Sequence, residues 1–133
     1  MKLRVLIAED DFVSRRLLQR FLSAHGDCDV AVNGKEAVEA FRLAWEAGQP
    51  YDLICLDIMM PEMDGHEVLR RIREIEHGKN AGGLTGAKVI MTTALGDYEN
   101  IMAAFKEQCE AYVVKPIDKQ TLLEKIRFTG LLL

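Results

Sequence analysis

No apolar run in this 133-residue sequence comes near the roughly 20 residues that a membrane-spanning helix needs. The stretch Met1 to Ala8 is apolar only briefly before it meets Glu9-Asp10-Asp11, too soon for the core of a secretory signal. Cysteine is scarce. Cys28, Cys55 and Cys109 are an odd number, lie far apart and form no C-x-x-C pair, so neither a disulfide framework nor a zinc site is expected, and a reducing cytoplasm fits best. Excess positive charge is also lacking: Lys and Arg number 17 against 21 Asp and Glu, a formal charge of −4 that disfavours non-specific binding to nucleic acid or to an anionic membrane. Neither G-x-x-x-x-G-K-[ST] nor G-x-G-x-x-G occurs, which removes the common glycine-rich phosphate loops. What remains is 49% hydrophobic and 29% charged, the balance of a soluble globular protein, with no internal repeat and no linker. Residues 1–133 are therefore expected to form a single domain.

Short apolar runs alternate with longer segments whose apolar residues recur every three or four positions. The strand candidates are Leu3 to Ala8, Cys28 to Val32, Asp52 to Leu56, Lys88 to Thr92 and Ala111 to Val114, mostly apolar on consecutive positions as strands covered on both faces must be. Helical stripes lie between and after them: Val13, Leu17, Leu18, Phe21 and Leu22; Ala37, Val38, Phe41, Ala44 and Trp45; Val68, Leu69, Ile72 and Ile75; Ile101, Ala104 and Phe105; Leu122, Leu123 and Ile126. Asn33, Asp64, Asp97 and Asp118 each precede a stripe as candidate caps, and Glu36 and Glu67 complete capping boxes behind the first two. Five β-α units in succession predict an α/β fold: a doubly wound, five-stranded parallel sheet with right-handed crossovers and helices on both faces. The glycine-bearing stretch His77 to Ala87 reads as a surface loop.

In a doubly wound sheet ligands bind outside the carboxyl ends of the strands, where the strand order reverses. Glu9, Asp10 and Asp11 end the first strand, Asp57 the third, Thr93 the fourth and Lys115 the fifth. If the order is 2-1-3-4-5, Glu9, Asp10 and Asp57 converge. Two unit charges 4 Å apart repel by about 4 kcal/mol at an effective dielectric of 20, so the cluster demands a compensating cation. A hard divalent ion held by oxygen ligands is the natural one, and Mg²⁺, which keeps waters and coordinates phosphates, suits a shallow site. Lys115 supplies a second positive charge. A carboxylate beside a bound cation can attack phosphorus, and Asp57 is the central candidate. Asp11, one residue beyond the paired acids, can equally cap the first helix.

Glu9-Asp10-Asp11, the run Leu56 to Gly65, Met91-Thr92-Thr93-Ala94 and Tyr112-Val113-Val114-Lys115-Pro116, in this order at successive strand ends, closely resemble response-regulator receiver domains, and the segment Glu99 to Pro116 resembles the chemotaxis subfamily in particular. The likeness covers almost the whole chain. It implies the CheY-like order 2-1-3-4-5. It also implies that Asp57 is the phosphoacceptor, taking its phosphoryl group from a phosphohistidine on a sensor histidine kinase or a histidine phosphotransfer protein. Asp10, Asp57 and the Met59 carbonyl would hold Mg²⁺, with Glu9 acting largely through metal-bound water, and Lys115 and the Thr93 hydroxyl would bind phosphoryl oxygens. A cis Lys115-Pro116 bond is implied. Thr93 would move toward the phosphoryl group and Tyr112 would turn inward, changing a surface of helix four, strand five and helix five for a downstream protein target that the likeness leaves unnamed. On this reading the chain is a cytoplasmic receiver without a separate output domain, a signalling switch with slow autodephosphorylation rather than an enzyme, and it touches neither nucleic acid nor membrane directly.

Two departures from that pattern stand out. Met59 and Leu95, two residues after Asp57 and Thr93, are both apolar and are expected to hinder attack by water on the acyl phosphate. The loop His77 to Ala87 is longer than in compact receivers. Plainer roles exist for several of these residues: a strand-end acid can be a helix cap, Thr93 alone a turn hydroxyl, Tyr112 a packing ring, and His25, His66 and His77 surface or helix-end groups. Met59, Met60, Met63, Met91 and Met102 read as adaptable packing, and Cys55, Trp45 and Phe105 as core. A haloacid-dehalogenase-type phosphohydrolase would need a second carboxylate two residues after its nucleophile, where Met59 stands. A flavodoxin-like carrier would need a Ser/Thr/Gly phosphate loop where Glu9-Asp10-Asp11 stands.

Overall fold

Strands and helices alternate throughout the computed structural model, which describes residues 2–78, 86–94, 98–106 and 108–132. The strands are β1 (Leu3–Ala8), β2 (Gly26–Ala31), β3 (Leu53–Asp57), β4 (Lys88–Thr93) and β5 (Ala111–Val114). The helices are α1 (Phe12–Leu22), α2 (Gly34–Glu46), α3 (Gly65–Gly78), α4 (Tyr98–Lys106) and α5 (Lys119–Phe128). All pairings are parallel and the order is β2-β1-β3-β4-β5, as expected. The three inner strands are buried along nearly their whole length, which is why they read as unbroken apolar runs.

β2 begins at Gly26 rather than Cys28, because Asp27 and Asp29 interrupt the apolar signal while the backbone pairs from Leu3↔Gly26 onward. Gly26 is needed there: a Cβ would lie 2.0 Å from the Leu3 carbonyl oxygen. β3 ends on Asp57 and β4 on Thr93, one residue beyond the expected limits. One face of the sheet packs Leu6, Ile54, Leu56, Val89 and Met91 against Phe41 of α2, Leu69 and Ile72 of α3 and Ala104 of α4. The other packs Val5, Ile7, Cys55, Ile90 and Val113 against Leu18 and Leu22 of α1 and Leu122 and Ile126 of α5.

Two stripe residues depart from the expected core: Val13 is 64% exposed and Phe105 42% exposed, each at the end of its stripe where the helix outruns the sheet. Of the methionines, Met60 and Met91 are buried, whereas Met59 and Met102 are exposed. Asp11, Asn33, Asp64 and Asp118 accept backbone N–H bonds at the starts of α1, α2, α3 and α5, from Ser14, Glu36, Glu67 and Thr121; such a cap is worth about 1 kcal/mol. The Glu36 carboxylate reaches back to the Val32 N–H, one residue short of the box position, and Glu67 pairs with Arg70 and Arg71 instead of closing a box. The expected cap Asp97, the rim residue Leu95 and residues 79–85 of the loop lie outside the described residues.

At the amino end of the sheet Arg73 forms a buried hub. Its Nη1 donates to Glu76 Oε1 at 2.8 Å and to the Ala87 carbonyl at 2.9 Å, and its Nη2 donates to the Gln108 carbonyl at 2.7 Å and to Glu110 Oε1 at 3.0 Å. Glu76, 1% exposed, also accepts the Ala87 N–H at 2.7 Å. The hub ties α3 to the entry of β4 and to the turn before β5, where Gln108 holds a positive φ of 73°. Arg73→Met strands the Glu76 carboxylate in the core, and urea unfolding is expected to show a loss of about 3–5 kcal/mol. A loss within the noise of a surface substitution would show that the hub carries no load.

Candidate functional site

Parallel pairing sets the site. β1 and β3 are neighbours, with Ala8 opposite Leu56, so the chain leaving β1 through Glu9 and Asp10 emerges beside Asp57. Asp57 itself is paired with Thr92, which places Thr93 one step beyond it, and Thr93 is paired with Val114, which places Lys115 just past the same edge. The Lys115 N–H donates to the Thr93 carbonyl at 2.8 Å, and the Lys115-Pro116 bond is cis, as the family likeness implied.

Glu9, Asp10 and Asp57 each place a carboxylate oxygen within 4.8 Å of the others. Glu9 is 0% and Asp57 4% exposed, while Asp10 faces solvent, so the cluster is a pocket with one open side. Lys115 reaches into the cluster: Nζ lies 3.0 Å from Glu9 Oε1 and 3.1 Å from Asp57 Oδ2. The second Glu9 oxygen accepts the Asp11 N–H at 3.1 Å, and Asp57 Oδ1 accepts the Met59 N–H at 3.2 Å. The Met59 side chain points out, 65% exposed. Arg15, which sequence reasoning did not single out, braces the rim by donating to the Glu9 and Asp10 carbonyls at 3.0 and 3.3 Å. Nothing in its helical spacing distinguished it from its neighbour Arg16. Tyr112 is not part of the cluster; its ring lies against Phe105 and Lys125.

Burial raises the Asp57 carboxyl to about 6, reinforced by the hydrogen bond and charge of Glu9 and opposed by Lys115. Desolvation draws the Lys115 ammonium down, but its bonds to Glu9 and its attraction to Asp57 outweigh that and hold it above the ordinary lysine value. One ammonium against three acids leaves the pocket short of positive charge. Glu9 Oε1 is fully buried and, although the Lys115 ammonium pairs with it at 3.0 Å, accepts no hydrogen bond; an oxygen-only donor set of this kind fits a hard divalent cation.

A doubly wound parallel sheet carrying three acids and a lysine at the reversal of strand order defines a class of strand-end acidic-pocket domains. The family profile described as the response regulator receiver domain matches residues 5–127, and the chain belongs to that family. It is 35% identical over 127 residues to the regulatory protein VanRB of Enterococcus faecalis, covering 95% of this chain and 51% of that protein, so it spans about half the length of that relative. The receiver domain of Ssk1 in complex with the histidine phosphotransfer protein Ypd1 from Saccharomyces cerevisiae superposes with a TM-score of 0.80 at 29% identity, covering 97% of this chain and 89% of that one. The CheX–CheY–BeF3–Mg complex from Borrelia burgdorferi gives 0.79 at 30% identity, with 97% and 90% covered. This protein is thus a receiver domain of the two-component response regulators.

The raised Asp57 value fixes a pH dependence. An acid that binds its proton more tightly folded than unfolded contributes stability below the unfolded value of 3.8, and that contribution is lost as pH rises through about 6. Without added metal, the unfolding free energy of the wild type relative to Asp57→Asn is expected to fall by about 2–3 kcal/mol between pH 4 and pH 7. A difference that stays flat across that window refutes the desolvated-carboxylate description.

Proposed function

We propose that Asp57 accepts a phosphoryl group from a phosphohistidine of a sensor histidine kinase or histidine phosphotransfer protein. The observation that carries this reading is the Lys115 ammonium in contact with both Glu9 and Asp57 at the mouth of an otherwise anionic pocket. An Asp57 carboxylate oxygen forms a bond to phosphorus while the bond from phosphorus to the imidazole nitrogen breaks, and the imidazole, which carries a proton on its other nitrogen from the start, leaves as the neutral ring. Lys115 meets the charge that develops on the phosphoryl oxygens, and the buried Thr93, at the end of β4, offers its hydroxyl to one of them. Asp10, Asp57 and the Met59 carbonyl are the residues to hold Mg²⁺, with Glu9 acting through a water. When bound, the ion neutralises the acids and orients the phosphoryl oxygens.

Phe12 and Val13, 63% and 64% exposed directly after Asp11, form an apolar ledge at the rim of the pocket where a protein donor can rest. Phosphorylation then draws Thr93 toward the new group and Tyr112 inward, and the surface of α4, β5 and α5 changes its affinity for a downstream protein. Residues 1–133 act as one receiver unit in this scheme. Three free cysteines and the lack, among the described residues, of any helix long and apolar enough to cross a membrane suit a cytoplasmic setting.

With acetyl phosphate and Mg²⁺ the intact mass is expected to rise by one phosphoryl group, and Asp57→Asn or omission of the metal to abolish the gain. Continuous release of phosphate far beyond one equivalent, with no modified protein, would mean a phosphohydrolase instead. Met59, two residues after Asp57, sets an apolar side chain at the exposed rim of the pocket on the path of an incoming water, so Met59→Asn is expected to speed hydrolysis of the acyl phosphate several-fold in a phosphate-release assay. Unchanged or slower hydrolysis would rule out the methionine as a barrier to water.

A further inference from the structure

Tyr112 stands on β5, the last strand of the sheet, where among the described residues only β4 pairs with it. Its neighbours Ala111 and Val113 point into the core shared with α1 and α5, and Tyr112 lies on the opposite side, half-buried. Two side chains grip its ring from the flanking helices. Phe105 of α4 meets it at 6.0 Å between centroids and 85° between planes, and the Lys125 ammonium of α5 lies 5.8 Å from the ring centre. The edge-on aromatic pair and the cation over a ring are both attractive geometries.

The packing around these groups shows what the grip does. Tyr112 and Lys125 line two adjoining cavities at once, one of about 390 Å³ shared with Phe105, Ala111 and Phe128, and one of about 300 Å³ shared with Val114, Pro116 and Thr121. They form the wall between the two. Phe105 departs from the expected core and remains 42% exposed, with its ring set edge-on against Tyr112.

We propose that Phe105 and Lys125 are positioning residues that latch the Tyr112 ring in the wall between these two cavities and thereby set how much signal the receiver needs. The inference rests on the reading of Tyr112 as a ring that turns inward on phosphorylation. An inward turn breaks the Phe105 pair and the Lys125 contact together and opens the two cavities into each other along β5. Both contacts therefore weigh the resting population toward the latched form. An effector that favours the inward form has an apparent affinity reduced by the fraction of molecules already there. Coupling is reciprocal, so loosening the ring tightens the effector at Asp57.

The test labels the three tyrosines, Tyr51, Tyr98 and Tyr112, with 3-fluorotyrosine and follows ¹⁹F spectra through a beryllofluoride titration with Mg²⁺. Loss of one line in Tyr112→Phe assigns the Tyr112 resonance, and amide shifts around Asp57 report binding independently. Phe105→Leu is expected to lower the beryllofluoride midpoint roughly three- to tenfold, the range an aromatic pair supplies. Lys125→Met lowers it in the same direction, and Phe105→Tyr, which keeps the ring, leaves it at the wild-type value. Phe128→Leu, in the same larger cavity, also leaves it unchanged. Loss of the Phe105 ring current by itself displaces the fluorine line without moving the midpoint. Unmoved midpoints in both Phe105→Leu and Lys125→Met, with a wild-type Tyr112 line that does respond, overturn the latch and leave the switch standing. A wild-type Tyr112 line that stays still while the Asp57 amides report binding overturns the switch and the latch with it. Should Phe105→Leu fail to fold, Lys125→Met decides the same question alone.

Discussion

Carboxylates crowded at a strand end repel one another, and in this protein the Lys115 ammonium bridges the two buried ones, Glu9 and Asp57. The rest of the architecture can be understood as the means of delivering that one amine. β5 must lie beside β4 for Lys115 to follow Val114 past the edge, and its backbone is tied there to Thr93. β1 must lie beside β3 for Glu9 to reach Asp57 at all. The pocket stays under-neutralised even so, and a hard divalent cation is the natural means of completing its charge balance.

The two ends of the sheet divide the labour. The carboxyl end gathers reactive, electrostatically uncomfortable groups. The amino end holds the Arg73 hub, in which the hydrogen-bonding groups of a guanidinium and a carboxylate find partners within the protein. α3 spans from one to the other: Gly65 at its start sits where a Cβ would come within 2.4 Å of the Asp57 carbonyl oxygen, and Arg73 and Glu76 lie in its later turns. A helix pinned so closely behind the Asp57 carboxylate, and anchored at its far end, gives that side chain a rigid base.

Much of this could be read in the sequence. The inner strands announced themselves because strands covered on both faces have no use for polar residues, and the strand-end acids and Lys115 stood out because charge is out of place beside such runs. The start of β2 was hidden because an edge strand tolerates Asp27 and Asp29. Helical period gave the correct faces for α1 and α4 but not the points at which the helices outrun the sheet, so Val13 and Phe105 were assigned to the core. Arg73 and Glu76 were invisible for a related reason. They sit among Arg70, Arg71 and Glu74 on α3, and only the position of the β4 entry distinguishes buried charge from solvated charge.

The aspartates that hid β2 also bear on crowding. β2 ends the sheet, with β1 as its sole strand partner among the described residues, and an unpaired strand edge invites the backbone of another molecule. A second copy laid alongside would bring its own Asp27 and Asp29 toward this pair, and like charges facing across a ladder disfavour it. The outermost backbone is thereby kept from seeding fibrils, at no cost to the buried face that holds β2 in place.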